Sequence, residues 1–272
     1  MEYTISLASV IGLAINLLLG ILLSFGLLIL LRIRYKPAFK SFFAGALITF
    51  VAGYALVQLV HMLVLSFPFG DAISNNIWLY SLYVGIVTAL VEETARLWTF
   101  RSMLKKNTDN DYNALMYGAG QGGAEAIWTL TLGMAAKYLV AITIYQGNSA
   151  VFFQELTEEE TELTILVLNE LTQKPPVEIF MMGLERIAYS VMHIALSVIV
   201  WFSANKKYFV YKPYLLAIGL RFVFQFAVTL LPLTELSIVL AECIACVIAA
   251  GCAVAAWLLW KREHVPTPVA ED

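Results

Sequence analysis

Charged side chains are scarce in this chain: 14% of its 272 residues are Asp, Glu, Lys or Arg, whereas 60% are hydrophobic. A soluble domain is about a quarter charged and nearer half apolar, so this composition excludes an ordinary soluble protein. Only three cysteines occur, at positions 243, 246 and 252. All of them lie in one apolar stretch, which favours a role as small packing residues over redox chemistry.

Three patterns that would indicate other functions are also missing. The sequence has no glycine loop of the strand-to-helix type that binds phosphate, no basic surface interleaved with aromatic residues, and no internal repeat. The first two absences argue against a nucleotide or nucleic-acid partner. The third argues against a small transporter or channel, because such folds are commonly built from repeated halves.

Long apolar stretches dominate the chain instead. About 20 apolar residues are enough to cross a bilayer as a helix. Seven stretches qualify, at roughly 7–31, 41–65, 77–100, 113–146, 178–203, 213–231 and 234–260. The sequence therefore predicts an all-α polytopic bundle of about seven transmembrane helices, with residues 1–272 as one integral domain of a multi-pass cell-membrane protein in the lipid bilayer. The fourth stretch is long enough to predict a break near its glycines, 118–123.

The basic residues give the bundle an orientation. Of the 17 lysines and arginines, 12 lie in the loops after the first, third, fifth and seventh stretches, and only Lys174 lies in a loop on the opposite side. Cytoplasmic loops carry the excess of basic residues in membrane proteins. This distribution predicts an external N-terminus and a cytoplasmic C-terminus.

One loop is long, the predicted external segment 147–177. Within it Thr157 and Glu160 have the spacing of a capping box, and apolar residues follow at helical spacing until Pro175. The pattern predicts an amphipathic helix at the outer surface or capping the bundle. Such a helix is either a solvated connector or a gate over a membrane-facing entrance.

Polar residues within the apolar stretches carry the functional signal. The segment 92–96 reads Glu-Glu-Thr-Ala-Arg inside a predicted transmembrane helix, where each carboxylate costs at least a few kcal/mol. Counting 1.5 Å per residue from the cytoplasmic ends puts polar groups of four helices in one slab, ~12–18 Å deep. They are Glu92, Gln121, Glu125, His193, Arg221 and Gln225. We therefore expect them to converge on one cavity in the inner half of the bundle.

Pairs spaced i, i+4 share a helix face and support this grouping. The pairs are Glu92 with Arg96, Gln121 with Glu125, His193 with Ser197, and Arg221 with Gln225. In a hydrolytic site the catalytic roles would fall to Glu92 as the base, Glu93 as its helper, Arg96 as the orienting cation, Gln121 as an amide donor, and His193 as the proton-sharing or oxyanion group. Glu125, Ser197, Arg221 and Gln225 would support them. The alternative is a set of buried ion pairs that only fixes helix packing.

These motifs resemble the YhfC family of intramembrane metalloproteases, which is related to the CAAX prenyl endopeptidases and bacteriocin-processing proteins, to the PrsW proteases and, more distantly, to the scaffold subunit of γ-secretase. The resemblance rests on 92–96, on the glycine-rich segment 118–126, and on Glu185-Arg186 followed by His193. It covers roughly residues 77–230 and marks them as a protease-like core. It implies a membrane peptidase in which paired glutamates activate water and histidines complete the site.

The sequence departs from the family pattern at two histidine positions. The glycine-rich element usually reads Gly-His-Gly-Gly but has Gln121 here, and the later His-x-x-x-Asp element begins with Arg221. Zinc would then depend on Glu92, Glu125 and His193, since a glutamine carbonyl is a poor ligand and an arginine is none. From the sequence, a bound zinc ion is possible but disfavoured.

Two functions therefore remain open from the sequence. The first is an intramembrane endopeptidase that hydrolyses a peptide bond of a membrane-embedded or lipid-anchored substrate near the cytoplasmic leaflet with a glutamate-activated water. The second is a catalytically inactive relative that acts as a membrane scaffold and binds a partner in the same cavity. Gln121 and Arg221 discriminate between them. A water between Glu92 and His193 would allow catalysis, whereas Arg221 in that space would exclude it.

Overall fold

A computed structural model describes residues 3–154, 156–205 and 211–264. In this part of the chain seven helices are long and apolar enough to cross a membrane: span 1 (Leu7–Tyr35), span 2 (Phe39–Leu65), span 3 (Ile77–Ser102), span 4 (Tyr112–Tyr145), span 5 (Pro176–Ala204), span 6 (Tyr211–Leu233) and span 7 (Ile238–Glu263). No strand occurs in the described ranges. The prediction of an all-α membrane protein with seven spans is confirmed.

Side-chain caps set the starts of several helices. The Ser6 hydroxyl accepts a hydrogen bond from a backbone N–H in the first turn of span 1, as Ser237 does for span 7, and the Asn76 side chain accepts two at span 3. Thr157 and Glu160 form both hydrogen bonds of a capping box in the long loop. These contacts satisfy N–H groups that have no partner within the helix.

Span 4 continues through its glycines, so the predicted break near 118–123 is wrong. The helix is α-helical from Tyr112 to Ala126 and widens to π-helical geometry only at Ile127–Leu132. A Cβ on Gly120 would overlap the backbone carbonyl of Phe42 in span 2, and one on Gly118 would overlap the backbone of span 5. The glycines therefore allow close packing on both sides of span 4 rather than a turn.

Span 5 lies at the centre of the bundle. Of the 18 residues in the apolar middle of span 5, 83% are buried, whereas the buried share of the corresponding residues is 22–39% in the other spans. Trp201 of span 5 packs against Phe100 of span 3, with ring centroids 5.2 Å apart, and Phe100 in turn packs against Tyr117 of span 4 at 4.6 Å. The outer spans expose their apolar side chains, as expected for helices that face lipid.

The long loop forms a helix at Glu158–Gln173 that rests on the ends of spans 1, 4 and 5. Its side chains Leu168 and Leu171 are buried in an apolar cluster with residues of these spans. At its surface, Lys137 of span 4 donates a hydrogen bond to Glu170 over 3.1 Å. This hydrogen bond lowers the pKa of Glu170. The loop helix is thus attached to the end of the bundle opposite the basic loops.

The predicted orientation can be tested by cysteine labelling. In a chain whose three native cysteines are alanines, Asn148→Cys lies after span 4 and Thr108→Cys lies between spans 3 and 4, both at exposed positions. A membrane-impermeant maleimide should label Asn148→Cys in intact cells and Thr108→Cys only after permeabilisation, because the basic loops are expected in the cytoplasm. The reverse pattern would show that the orientation is inverted.

Candidate functional site

A cavity of about 520 Å³ lies between spans 2, 3, 5 and 6, with Glu125 of span 4 in its wall. Its lining begins at Glu92, near the middle of span 3, and reaches Leu65, Tyr80 and Thr229. These last three residues lie near the ends of their spans that are opposite the basic loops. The predicted confinement of the cavity to the inner half of the bundle is therefore wrong, although Glu92, Glu125, Arg221 and Gln225 do line one space.

Glu92 is held by Arg221 of span 6. The guanidinium donates from Nε to Oε2 over 2.9 Å and from Nη2 to Oε1 over 3.0 Å, so that both oxygens accept a hydrogen bond. The remaining Nη1 donates to Gln225 over 2.9 Å. Both charged side chains are almost fully buried. A bidentate pair of this kind is short, directional and strong in a medium of low dielectric constant.

Arg96 connects three helices. Its Nη1 donates to both carboxylate oxygens of Glu93, and its Nε and Nη2 donate to Oε1 of Gln121 over 3.0 and 2.8 Å. Nη2 also lies 3.1 Å from Nδ1 of His193. Arg96 thus contacts one carboxylate of the Glu92–Glu93 pair, that of Glu93, and each glutamate has its own arginine. The side-chain oxygen of Gln121 serves as an acceptor for Arg96.

The contact with Arg96 fixes the tautomer of His193. A guanidinium can only donate, so Nδ1 accepts and the imidazole proton lies on Nε2. Nε2 lies 3.2 Å from Oε1 of Glu125, at ion-pair distance but outside hydrogen-bond alignment. His193 thus lies between a cation on one side and a carboxylate on the other.

Glu125 has an oxygen without a hydrogen-bond partner among the described residues. Its buried Oε2 lies 3.7 Å from Nη1 of Arg186, too far for a hydrogen bond. Arg186 itself donates to Glu185 through Nη2 and stacks over the ring of Tyr189 at 4.1 Å. Glu125 and Arg186 both line the cavity, so a carboxylate oxygen without a hydrogen bond and a guanidinium lie next to each other in its wall.

Other predicted positions have different surroundings. The hydroxyl of Ser197 donates to the backbone carbonyl of His193 over 2.7 Å, which ties it to its own helix. The sequence patterns did not identify Arg186, Tyr54 or Tyr189 as cavity residues. The spacing of Arg186 and Tyr189, three residues apart on one helix face, was the available signal for that side of the cavity.

The predicted zinc ligands do not assemble into a metal site. Among the described residues no three His, Cys, Asp or Glu side chains are grouped to hold an ion. Both oxygens of Glu92 accept from Arg221, and Nδ1 of His193 accepts from Arg96. A zinc ion here would have to displace two cations to reach its ligands, and the donor set is poor in the histidine and cysteine that zinc prefers. The residues present therefore do not fit zinc.

Comparisons with known proteins agree with the motifs. The family model described as YhfC intramembrane metalloprotease matches residues 19–245, well beyond the core on which the resemblance rests. The uncharacterized membrane protein YhfC of Bacillus subtilis (strain 168) is 30% identical over 206 residues, which cover 75% of this chain and 78% of that protein. No solved structure matches. The chain belongs to the YhfC intramembrane metalloprotease family.

Proposed function

We propose that this chain binds a segment of a membrane-embedded peptide or protein in its polar cavity and does so without metal-dependent hydrolysis. The bidentate contact of Arg221 with Glu92 carries the proposal. A glutamate that acts as a general base or as a metal ligand needs a free lone pair directed at water or metal. Here each oxygen of Glu92 already directs one lone pair at the guanidinium of Arg221, which does not give up its proton and holds the carboxylate in place by its charge.

The surroundings of Arg96 support the same proposal. The two family histidine positions hold Gln121 and Arg221, and both of these side chains now take part in hydrogen bonds with an arginine or a glutamate. Charges that could serve a metal are instead neutralised by protein cations. This replacement preserves a polar interior in the bundle and commits Glu92 to an ion pair with Arg221.

Glu125 and Arg186 lie next to each other without a hydrogen bond, and this indicates which ligand groups the cavity would bind. An unpaired buried acceptor costs about 1–3 kcal/mol, which a ligand that donates to it can recover. A peptide group has the matching chemistry, because its N–H can donate to Oε2 of Glu125 while its C=O accepts from Arg186. Unwound backbone in a membrane needs such partners, since lipid offers none. The volume of about 520 Å³ is in the usual range for ligand sites.

A second candidate function, metal-independent hydrolysis, is favoured by one observation. Oε2 of Glu125 accepts no hydrogen bond from the described residues, and Nε2 of His193, which carries the proton, lies 3.2 Å from the other oxygen of this carboxylate. In this alternative Glu125 takes a proton from water and His193 donates to the developing oxyanion. The base would then be Glu125 and not Glu92, the residue favoured by the sequence.

The metal content of the purified chain tests the loss of the zinc site. We expect a zinc content well below one equivalent per chain, because Arg96 and Arg221 already contact the expected ligands His193 and Glu92. Restoring the family histidines with Gln121→His and Arg221→His together should raise zinc towards one equivalent by elemental analysis. Arg221→Met is the matched control, since it removes the cation without adding a ligand. One equivalent in the unmodified chain, lost in His193→Ala, would overturn the metal-free reading.

The pairing of Glu92 with Arg221 has a measurable effect on stability. Glu92→Gln leaves Arg221 buried without its counter-ion and should reduce the free energy of unfolding by about 3–5 kcal/mol. Adding Arg221→Met should recover most of this loss, because an apolar side chain of similar volume replaces a charge. Unfolding in mixed detergent and sodium dodecyl sulfate micelles gives both values, with the exposed Glu159→Gln as control. A Glu92→Gln variant as stable as the unmodified chain would contradict the ion pair.

Photocrosslinking tests the binding of peptides. A benzophenone amino acid replaces Gln58, which lines the cavity, or the adjacent Leu59, which is exposed on the outside of span 2. Each variant is reconstituted with a pool of synthetic single-span peptides of known sequence. We expect position 58 to crosslink particular peptides several-fold more than position 59, and mass spectrometry to find them intact.

The other outcomes are equally informative. Equal crosslinking at both positions would refute binding in the cavity. Cleaved peptides whose formation stops in Glu125→Gln and in His193→Ala would establish the second candidate function. Cleavage that persists in both variants and stops in Glu92→Gln would contradict both assignments and return the catalytic role to Glu92.

A further inference from the structure

A second cavity lies at the end of the bundle that carries the basic loops. It has a volume of about 390 Å³ and is bordered by spans 1, 4, 5 and 7. Its lining is apolar and aromatic, with no charged side chain. It shares no residue with the polar cavity and plays no part in the function proposed above.

The shape of this cavity is that of a groove along two helices. It extends from Val191 to Val198 on span 5 and from Ala253 to Trp260 on span 7, which is ~10 Å of helical rise on each. The small side chain of Ala256, itself buried, forms part of its floor. A narrow apolar groove of this kind, within membrane-spanning helices, fits a linear hydrocarbon chain.

Aromatic rings and lysines surround the mouth of the groove. Tyr35 stacks on Tyr112 with ring centroids 4.0 Å apart, and Tyr112 lies 5.3 Å from Trp260. The ammonium of Lys261 lies 3.7 Å above the ring of Trp257, a lining residue that is half exposed. Lys36, directly after Tyr35, is exposed.

Two acidic groups near the mouth already have partners. Oδ1 of Asp111 accepts a hydrogen bond from the indole of Trp201, and Oδ2 lies 2.9 Å from Nδ1 of His264. Glu263 lies within hydrogen-bond distance of Arg262. The lysines at the mouth therefore give it a positive character at the depth where aromatic and basic side chains meet lipid headgroups.

We propose that this groove is a binding site for an anionic phospholipid. One acyl chain lies between spans 5 and 7 against Ala256, and the headgroup phosphate contacts Lys261, with Lys36 as a second cation. Lipid is the occupant because the groove opens among helices that face the bilayer. The negative charge of the headgroup is the part that the lysines select.

Quenching of tryptophan fluorescence by brominated acyl chains provides the test, since Trp257 and Trp260 line the groove. The full-length chain in detergent is titrated with dibrominated phosphatidylglycerol or with dibrominated phosphatidylcholine of the same chains. The signal of the groove is the quenching that disappears in the Trp257→Phe, Trp260→Phe double variant. We expect half-quenching at a several-fold lower mole fraction of phosphatidylglycerol than of phosphatidylcholine.

Charge variants identify the headgroup site. Lys261→Gln should weaken phosphatidylglycerol about fivefold and leave phosphatidylcholine unchanged, and Lys36→Gln should act in the same direction. Lys212→Gln, an exposed lysine at the same end of the bundle and outside the groove, is the matched control. Ala256→Phe should abolish the groove signal for both lipids, with the melting temperature measured to confirm folding.

Two results would overturn the proposal. Equal half-quenching by both lipids would mean that the groove holds ordinary bulk lipid without selecting a headgroup. A preference for phosphatidylglycerol that Lys212→Gln reduces as much as Lys261→Gln would mean that the charge of the whole face, and not this site, attracts the lipid.

Discussion

The arrangement of this bundle depends on the pairing of charges inside a hydrocarbon medium. Glu92 and Glu93 are neighbours on span 3, where an unpaired carboxylate would cost several kcal/mol. Each is compensated by a different arginine, Arg221 from span 6 and Arg96 from span 3 itself. Because Arg96 also reaches spans 4 and 5 through Gln121 and His193, four helices must keep their relative rotation for these contacts to persist.

Close backbone packing makes this network geometrically feasible. Arg96 can reach side chains on two neighbouring helices only if those helices lie near span 3. The glycines of span 4 bring it close to two other helices, since Gly118 faces the backbone of span 5 and Gly120 that of span 2. Gln121 of span 4 and His193 of span 5 therefore lie near each other, and Arg96 contacts both. The glycines of span 4 therefore help to position Gln121 and Glu125 without lining the cavity themselves.

The sequence predicted the fold well because membrane helices follow directly from length and hydrophobicity. The predicted stretch 77–100 became the helix Ile77–Ser102, and 178–203 became Pro176–Ala204. Counting along each helix also grouped residues at similar depth, since the rise per residue is constant. Depth alone does not determine rotation, however, and so it could not decide which arginine faces Glu92.

The errors about the site have the same physical origin. Spacings of three and four residues both bring side chains together on a helix, so the sequence allowed Arg96 to pair with either glutamate. In the structure Arg96 pairs with Glu93, Arg221 pairs with Glu92, and an opening lies beside Arg186. These features follow from how spans 5 and 6 rotate against span 3. That rotation is set by packing across the bundle, which a local pattern does not record.

Span 5 shows why the local sequence pattern cannot be separated from the packing across the bundle. One of its faces contributes Arg186 and Tyr189 to the polar cavity, and another contributes Val191 and Val198 to the apolar groove at the opposite end. A surface helix has one apolar stripe, whereas this central helix must satisfy a charged environment and a lipid-like one along a single axis. Its position is therefore constrained from both sides. Arg221 can be buried next to this helix because Glu92 of span 3 accepts a hydrogen bond from it with each carboxylate oxygen.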